Sequence, residues 1–498
     1  MTPMVLIRCA RRPSTFSSSW IGSKHMFRSS MVAASIYTLL VPGIVAAQAA
    51  ATPAPDEHAL GDLVIGGSQV EHVTKLAVLK SNSPDYEDVV IRSVVRHDLE
   101  LSGMFDVIAD NAAPPGNYEF EDPVDLPAWQ KLGAEVIVKV AARRIAADKA
   151  EIFSLAYFLD VGKVPVYERR ITINTDDLRL TGHRVTDALL AAITGRPGSF
   201  ASHFAMSTAW GHGRRILSMD ADGASVVPVT SPEDTSIAPF WGPEGVLHFT
   251  QSVRYSPFHL VFQNGKQISP VKIQFETSIY AGAFSRDGQK LAVAVAEDGR
   301  SSIYVGNADA TGLQKVSKTE LATSPAFSPS GKLAYIGGGA HQGSQRVYVD
   351  GKPVSPDGFT AASPTFCDTE LGVRLVYAVA VGGGRMDLVM SDERGRDIAR
   401  ITQGPGSNYA PACSPDGRLL AFFSTRKSGA GPGLYLLNLK RFTSVRVTQQ
   451  MGESLTWARL PDSAAWQALE VRSKPKAGAP QPSGPPAPSS PTPPAAKP

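Results

Sequence analysis

Along this 498-residue chain the spacing of hydrophobic positions changes character once, near residue 200. Ahead of that point two periods alternate. Residues 63–65 (LVI) and 76–79 (LAVL) predict short strands. Between 85 and 101, Val89, Val90, Val94, Leu99 and Leu101 fall near helical spacing, and Gly103 supplies a stop. Residues 104–108 predict a strand, 127–132 a short helix, and 135–140 and 152–159 β-branched or aromatic strands. A helix is predicted over 185–193, ended by Thr194-Gly195. Strands interleaved with helices predict a small α/β domain over residues 61–200.

From residue 201 to 462 the helical period is gone. Strands of four to seven residues alternate with Gly, Pro, Asp and Ser turns. The apolar residue before each turn of S-P-D-G type recurs as Trp241, Phe284, Phe327, Phe366, Cys413 and Trp457, at spacings of 43, 43, 39, 47 and 44 residues. Second and third strands follow most of these turns, as in KLAVAVA and SIYVGNADATG. Units of about 40–45 residues with four strands each are the pattern of a β-propeller, because one blade cannot bury both its faces and a ring of blades can. Six anchors predict six blades. The last unit runs short of strands after Trp457, and a spare strand stands at 204–209 (FAMSTA). A strand from the start of the domain is therefore expected to complete the last blade, which leaves no open edge.

The two ends differ from the middle. Residues 1–47 hold Arg8, Arg11, Arg12, Lys24 and Arg28 and no acidic residue. The apolar run 31–50 ends in small residues, with Ala47-Gln48-Ala49 fitting an A-x-A cleavage pattern. This reads as an export signal, with the mature chain in the periplasm. Pro42 and Gly43 break the run as a membrane span. Residues 48–60 are expected to be flexible, and 463–498, Pro-rich, to be an extended tail.

Charge narrows the function classes. The net charge is +3, from 49 basic and 46 acidic residues, and becomes −2 without the five basic residues of the leader. That balance gives no basic face for nucleic acid and no polybasic patch for a membrane surface. Of three cysteines, Cys367 and Cys413 remain after Cys9. Both stand in apolar surroundings without a CxxC, so two buried free thiols are expected, with a mutual disulfide as the alternative.

Several motifs now converge. Asp98-Leu99 with Ser102-Gly103-Met104-Phe105, the run WQKLGAEVIV at 129–138, and Thr194-Gly195-Arg196-Pro197-Gly198-Ser199-Phe200 leading into ASHFAMS resemble, in order, segments of the TolB family. LSMDADG at 217–223 is similar to the family's first-blade turn, and YAPACSPDG at 409–417 to a blade start. The resemblance spans about residues 60 to 462. It implies a periplasmic binding protein of the Tol–Pal system, without chemistry or cofactor, linking the Pal lipoprotein to TolA in support of outer-membrane integrity and division. It also implies a monomer that meets membranes only through its partners. By that resemblance Pal docks over the channel mouth, on the loops before the inner strands: Thr277, Ser278, Tyr280 and Ala281, then Thr323 and Ser324, then Ala362 and Ser363, then Tyr409 and Ala410. Ser278 and Ser324 depart from the His and Glu of the family pattern. TolA would take the mature N-terminus by strand addition at Asp62, Leu63, Val64 and Ile65.

The competing reading is a propeller hydrolase or lyase with its active site in the channel. Such a site needs carboxylates, amides or histidines converging on the inner strands. Those strands read APFW, AGAF, SPAF, SPTF, APAC and SLTW, mostly small or apolar. Asp220-Ala221-Asp222-Gly223 lacks the further ligands of a calcium loop and is expected to be a plain hairpin turn, and no metal site is expected elsewhere. His203, His212, His248, His259 and His341 share no spacing. Gly337-Gly338-Gly339 and Gly382-Gly383-Gly384 are not followed by the helix of a phosphate loop.

Overall fold

The computed structural model describes Leu60 and residues 72–459, except 81, 82, 84, 115–118, 121, 339–343 and 405. The expected leader, nearly all of 48–60, the strand expected at 63–65 and the tail 463–498 lie outside the described residues, as do Gly339 and His341.

The first part is an α/β unit of β1 (Lys75–Val78), α1 (Tyr86–Leu101), β2 (Asp106–Val107), α2 (Leu126–Lys131), β3 (Val136–Ala146), β4 (Lys149–Phe158), β5 (Tyr167–Asn174) and α3 (Leu178–Thr194). The sheet runs β2-β1-β3-β4-β5, with β1 parallel to both neighbours and the remaining pairs antiparallel. The inward stripe of α1 is Ile91, Val94, Val95 and Leu99, while Val89, expected inward, is exposed. Helices α1 and α3 approach so closely that a Cβ on Gly182 would stand 2.7 Å from Val94 Cγ1.

Helix α3 starts at Leu178, earlier than the hydrophobic pattern indicates. Its first turns bury Thr181, His183, Thr186 and Asp187; His183 and Thr186 meet Asp98 on α1, and Asp187 accepts backbone amides beyond the helix. It ends as expected at Gly195, whose φ of 79° takes the left-handed cap. Strand β5, which the pattern does not flag, is the sheet edge, and of its residues only Ile171 and Ile173 are buried.

The second part is a six-bladed propeller. Five blades are contiguous: β9 (Thr235–Trp241), β10 (Leu247–Ser252), β11 (His259–Asn264) and β12 (Gln267–Pro270); β13 (Ile279–Phe284), β14 (Lys290–Glu297), β15 (Arg300–Asn307) and β16 (Gln314–Lys315); β17 (Thr323–Phe327), β18 (Leu333–Gly338), β19 (Gln345–Val349) and β20 (Lys352–Pro353); β21 (Ala361–Thr369), β22 (Gly372–Val381), β23 (Arg385–Asp392) and β24 (Ala399–Arg400); β25 (Asn408–Cys413), β26 (Leu419–Ser424), β27 (Gly433–Asn438) and β28 (Ser444–Thr448). The sixth sheet is β29 (Ser454–Arg459) beside β6 (Ser202–Trp210), β7 (Gly213–Asp220) and β8 (Val227–Pro228). Closure therefore uses three strands from the start of the domain and one from its end, more than the single strand expected. Trp457 holds the seam. Its Nε1–H donates to Ser202 Oγ at 2.6 Å, and its ring lies 4.6 Å from that of Phe204. Each of the six anchors sits on an innermost strand, and these strands contact one another in a ring, with β29 returning to β9.

Both cysteines are in that ring, and here the expectation of free thiols is corrected. Cys367 on β21 and Cys413 on β25 form a disulfide, with Cα atoms 5.4 Å apart. They are 46 residues apart, one less than the 47 between the anchors Phe366 and Cys413, so the bond joins the residue after one blade's anchor to the anchor of the next, on facing sides of neighbouring inner strands. Leu60 is also informative. It closes the stretch expected to be flexible, yet it is fully buried in the apolar layer between the third and fourth blades, with Ile336, Phe359 and Tyr377.

The motifs that carry the family resemblance build the junction of the two parts. Asn438 Nδ2 donates to Ser102 O at 2.9 Å, and Arg441 donates to Gly103 O at 2.8 Å. Arg196 donates to Asp416 O, Arg418 to Arg196 O, and the Asp416 amide to Ser199 Oγ. Asp187 accepts the amides of Phe200 and Ala201, fixing the chain as it enters β6. Asp416 and Arg418 lie in the turn after an innermost strand, and Asn438 and Arg441 at the end of the third strand of the same blade and in the turn after it. The α/β unit thus covers the turn face, and the starts of the innermost strands open on the opposite face.

Candidate functional site

That opposite face is the channel mouth. Innermost strands run toward the S-P-D-G turns, so their first residues line the mouth together with the hairpins joining each second strand to the third. The sequence expectation of loops is met only for Thr277 and Ser278. Tyr280, Ala281, Thr323, Ser324, Ala362, Ser363, Tyr409 and Ala410 belong to β13, β17, β21 and β25 themselves.

These strand starts share a distortion. Register shifts at the mouth ends of β9, β13, β17, β21 and β25, whereas β29 pairs with β6 without one. Four shifts coincide with a residue at positive φ before a proline: Ala238-Pro239 (49°), Ser324-Pro325 (52°), Ser363-Pro364 (51°) and Ala410-Pro411 (50°). Proline has no N–H to give the ladder, so the extra residue bulges and turns its neighbours toward the channel. A left-handed residue with a Cβ costs about 1 kcal/mol or more, and such strain concentrates at binding surfaces.

The expected contact residues have different exposures. Tyr280 is 40% exposed, with its ring 6.4 Å from that of Phe258, and Thr277 is also open to solvent. Ser278, Thr323, Ser324, Ala362 and Ser363 are half-buried. The Ser278 hydroxyl accepts the Phe258 amide at 3.1 Å and so positions the adjoining hairpin. Tyr409 is half-buried, donates to Gly452 O at 3.1 Å and packs near Phe423, which ties it to the blade. Ala281 and Ala410 are buried beneath the surface. Asp62, Leu63, Val64 and Ile65 lie outside the described residues.

A groove of about 360 Å³ opens beside Tyr280 and Thr277, with Glu297, Arg300, Ser301 and Leu321 on its walls. Lys315, and then the Tyr304 hydroxyl, hold the Glu297 carboxyl down at about 2, so it is charged at any ordinary pH. Arg300 pairs with Glu320 at 2.7 Å. The second-to-third-strand hairpins add large exposed groups absent from the sequence expectation: Trp210, with the Arg215 guanidinium 3.6 Å above its ring, and Tyr255, fully exposed. With Tyr280 and Leu321 they form an aromatic and apolar crescent over neighbouring blades. The opposite rim carries Arg385, Arg426 and Lys427. Exposed aromatics beside fixed charge are the composition of a protein-docking surface. The signal was available in VRYSP at 253–257, but it becomes readable only when strand order assigns that hairpin to the mouth.

Histidine and carboxylate chemistry gathers elsewhere. Among the described residues, the group close enough to share one ion is Asp98, His183 and Asp222, at the junction. Burial would lower the His183 pKa, but Asp98 and Asp220 draw it up to about 10. Asp220 falls to about 2 against its own burial through His183 and Ser225.

The family model described as the TolB amino-terminal domain matches residues 65–156, and that of the TolB beta propeller domain matches 190–355. The Tol-Pal system protein TolB of Anaeromyxobacter sp. (strain K) is 26% identical over 225 residues, 45% of this chain and 51% of its own length. The TolB of Polaromonas naphthalenivorans (strain CJ2) is 30% identical over 161 residues, 31% of this chain and 35% of its own. The chain thus spans about half or less of the length of these curated relatives. The crystal structure of TolB from Acinetobacter baumannii superposes with a TM-score of 0.66 at 19% identity, covering 78% of this chain and 97% of that one, which is a likeness of fold.

Proposed function

The chain belongs to the TolB family, and from that premise we propose that it is the periplasmic scaffold of a Tol–Pal system. The observation that carries the proposal is the ordered pair of family matches, amino-terminal domain then propeller, on a chain whose free face is a strained, aromatic-rimmed mouth. In this reading the Pal lipoprotein seats on the mouth against Tyr280 and Thr277, with Thr323, Ser324, Ala362 and Ser363 below. Ser278, Tyr409, Ala281 and Ala410 shape the surface from behind.

TolA takes the segment Asp62, Leu63, Val64 and Ile65 as an added strand. The buried Leu60 supports a segment tethered at one end, ready to be presented or withheld. The protein acts as a monomer, without chemistry of its own, and bridges its two partners to maintain the outer membrane and its constriction at division. Periplasmic residence is supported by the leader-like first 47 residues and by the Cys367–Cys413 disulfide, a bond that persists in oxidising compartments. Among the described residues, no helix is long and apolar enough to cross a membrane.

The test is affinity capture from envelope extract of the source organism, using mature protein with and without residues 48–65. Mass spectrometry should identify a Pal lipoprotein with both baits and a TolA protein only with the longer one. Recovery of neither by folded bait would overturn the proposal.

A further inference from the structure

A groove of about 450 Å³ lies on the α/β unit, along the side of α1 turned away from α3. Val89, Ser93, His97 and Glu100 of α1 form one wall. Lys80, from the chain after β1, and Asp110, from the turn after β2, close the other. The groove stands at the carboxyl ends of β1 and β2, two parallel strands, and that crevice is where open α/β sheets take their ligands.

Two guanidiniums make its floor, and both are anchored. Arg92 donates to Leu79 O at 2.6 Å and to Asp110 Oδ1 at 2.8 Å. Arg96 donates to the same Asp110 oxygen at 2.9 Å, to Ile108 O at 3.1 Å and to Glu100 at 2.9 Å. These bonds occupy the carbonyls just past β1 and β2, so the floor is set before any ligand arrives, which lowers the entropy lost on binding. Burial would raise the Asp110 pKa, but Arg92, Arg96 and Lys80 draw it down. Lys80 is exposed at the rim and, among the described residues, has no carboxylate within ion-pair reach. Asp88 turns inward, where its Oδ1 accepts the Ala142 amide at 2.9 Å and its charge faces Lys139. The groove thus sets three cations, Lys80, Arg92 and Arg96, against two carboxylates, Glu100 and Asp110, one positive charge in excess. Its other end is apolar. Tyr86 and Val89, three residues apart at the start of α1, are 69% and 54% exposed. From Val89 to Glu100 the helix rises about 16 Å, eleven steps of about 1.5 Å, the span of about five residues of extended chain.

We propose that this groove binds a short acidic segment of a protein partner, with a carboxylate against Lys80 and the arginine floor and an apolar side chain against Val89 and Tyr86. One charge in excess matches one carboxylate. A phosphate dianion would carry a second negative charge in beside Glu100 and Asp110, where like charges repel. A membrane surface calls for a cluster of unpaired basic residues, and here Lys80 stands alone at the rim. Helix α1 ends at the junction, where Ser102 O accepts from Asn438, whereas the mouth opens on the far face of the propeller. Groove and mouth can therefore be filled together, and the groove is independent of the reading of the mouth.

The experiment pans random peptides displayed on phage against the mature protein. The recovered peptides are synthesised with a fluorescein label and titrated by fluorescence anisotropy into wild type, Lys80→Ala, Val89→Asp and Tyr280→Ala. One recovered class should join Asp or Glu to a large apolar residue. Its affinity should fall about tenfold in Lys80→Ala and in Val89→Asp, both surface changes that leave the melting temperature in place, and should be unchanged in Tyr280→Ala. Gln in place of the peptide's acidic residue should weaken it to a similar degree. The proposal is overturned if no recovered peptide responds to both groove variants, or if those that respond carry no acidic residue. Complete displacement of the peptide by millimolar inorganic phosphate also overturns it, and assigns the groove to a small anion.

Discussion

The bond between Cys367 and Cys413 can be removed without altering any other residue, by reduction. It closes a loop of 46 residues, one blade long, between adjacent innermost strands. Treating the cross-link as a restriction on the unfolded chain, a loop of that length contributes about 4 kcal/mol at 25 °C. Strain and residual structure in the unfolded chain usually lower the realised value, so a loss of about 2–4 kcal/mol is expected on reduction. Urea unfolding of mature protein with and without a reductant measures it. Hydrogen exchange in β21 and β25 localises the change to the fourth and fifth blades. The variant Cys367→Ala/Cys413→Ala should lie within about 1 kcal/mol of the reduced wild type, since small apolar groups replace thiols of similar size. Oxidised and reduced proteins that agree within about 0.5 kcal/mol would refute the reasoning. So would quantitative alkylation of both thiols in the untreated protein.

Trp457→Ala should destabilise the propeller by about 3–5 kcal/mol and deprotect β6 and β29 in hydrogen exchange, because it opens a cavity at the seam and removes the indole N–H donated to Ser202 Oγ; unchanged exchange in those strands would show that closure lies elsewhere. Burial among Phe240, Phe262 and Phe284 depresses the His248 pKa, so the unfolded chain gains a proton near pH 6.5 that the folded one refuses. Stability should therefore fall as pH drops from 7 toward the depressed folded value, by at most about 1.4 kcal/mol per pH unit, and His248→Phe should flatten that slope; equal slopes in urea midpoints at pH 7.5 and 5.5 would contradict it. Ser363→Gly should leave stability unchanged or raise it by up to about 1 kcal/mol, whereas Ser363→Val should lower it, as read by thermal melting, because φ is 51° there.

The repeat made the propeller legible. Six anchors one blade apart all land on innermost strands, and the shortage of strands after Trp457 correctly signals closure. Helices with an apolar stripe were legible as well, such as α1. The opening turns of α3 were not, because they bury His183 and Thr186, whose partner Asp98 is remote in sequence. Strand β5 hides behind Glu168, Arg170 and Thr172, which an edge strand can leave toward solvent. The disulfide was within reach, since Cys367 follows the anchor Phe366 and Cys413 is the next anchor, which puts them on opposite faces of adjacent innermost strands, but hydrophobic context alone cannot show which residues face across blades. At the mouth, the prolines of APFW, SPAF, SPTF and APAC were visible as small inner-strand segments. Their role as bulge-formers appears only with the register, and the placing of Tyr255 and Trp210 on hairpins of the mouth only with the topology.

The proposed seating of a Pal lipoprotein on the mouth is open to isothermal titration of the mature chain with the purified periplasmic domain of Pal from the same organism, comparing wild type with Tyr280→Ala. Wild type should bind saturably, one to one. Tyr280→Ala should bind more weakly by about 1–3 kcal/mol, roughly tenfold to a hundredfold, with an unchanged melting temperature. No binding by folded wild type, or affinity untouched by the substitution, would contradict it.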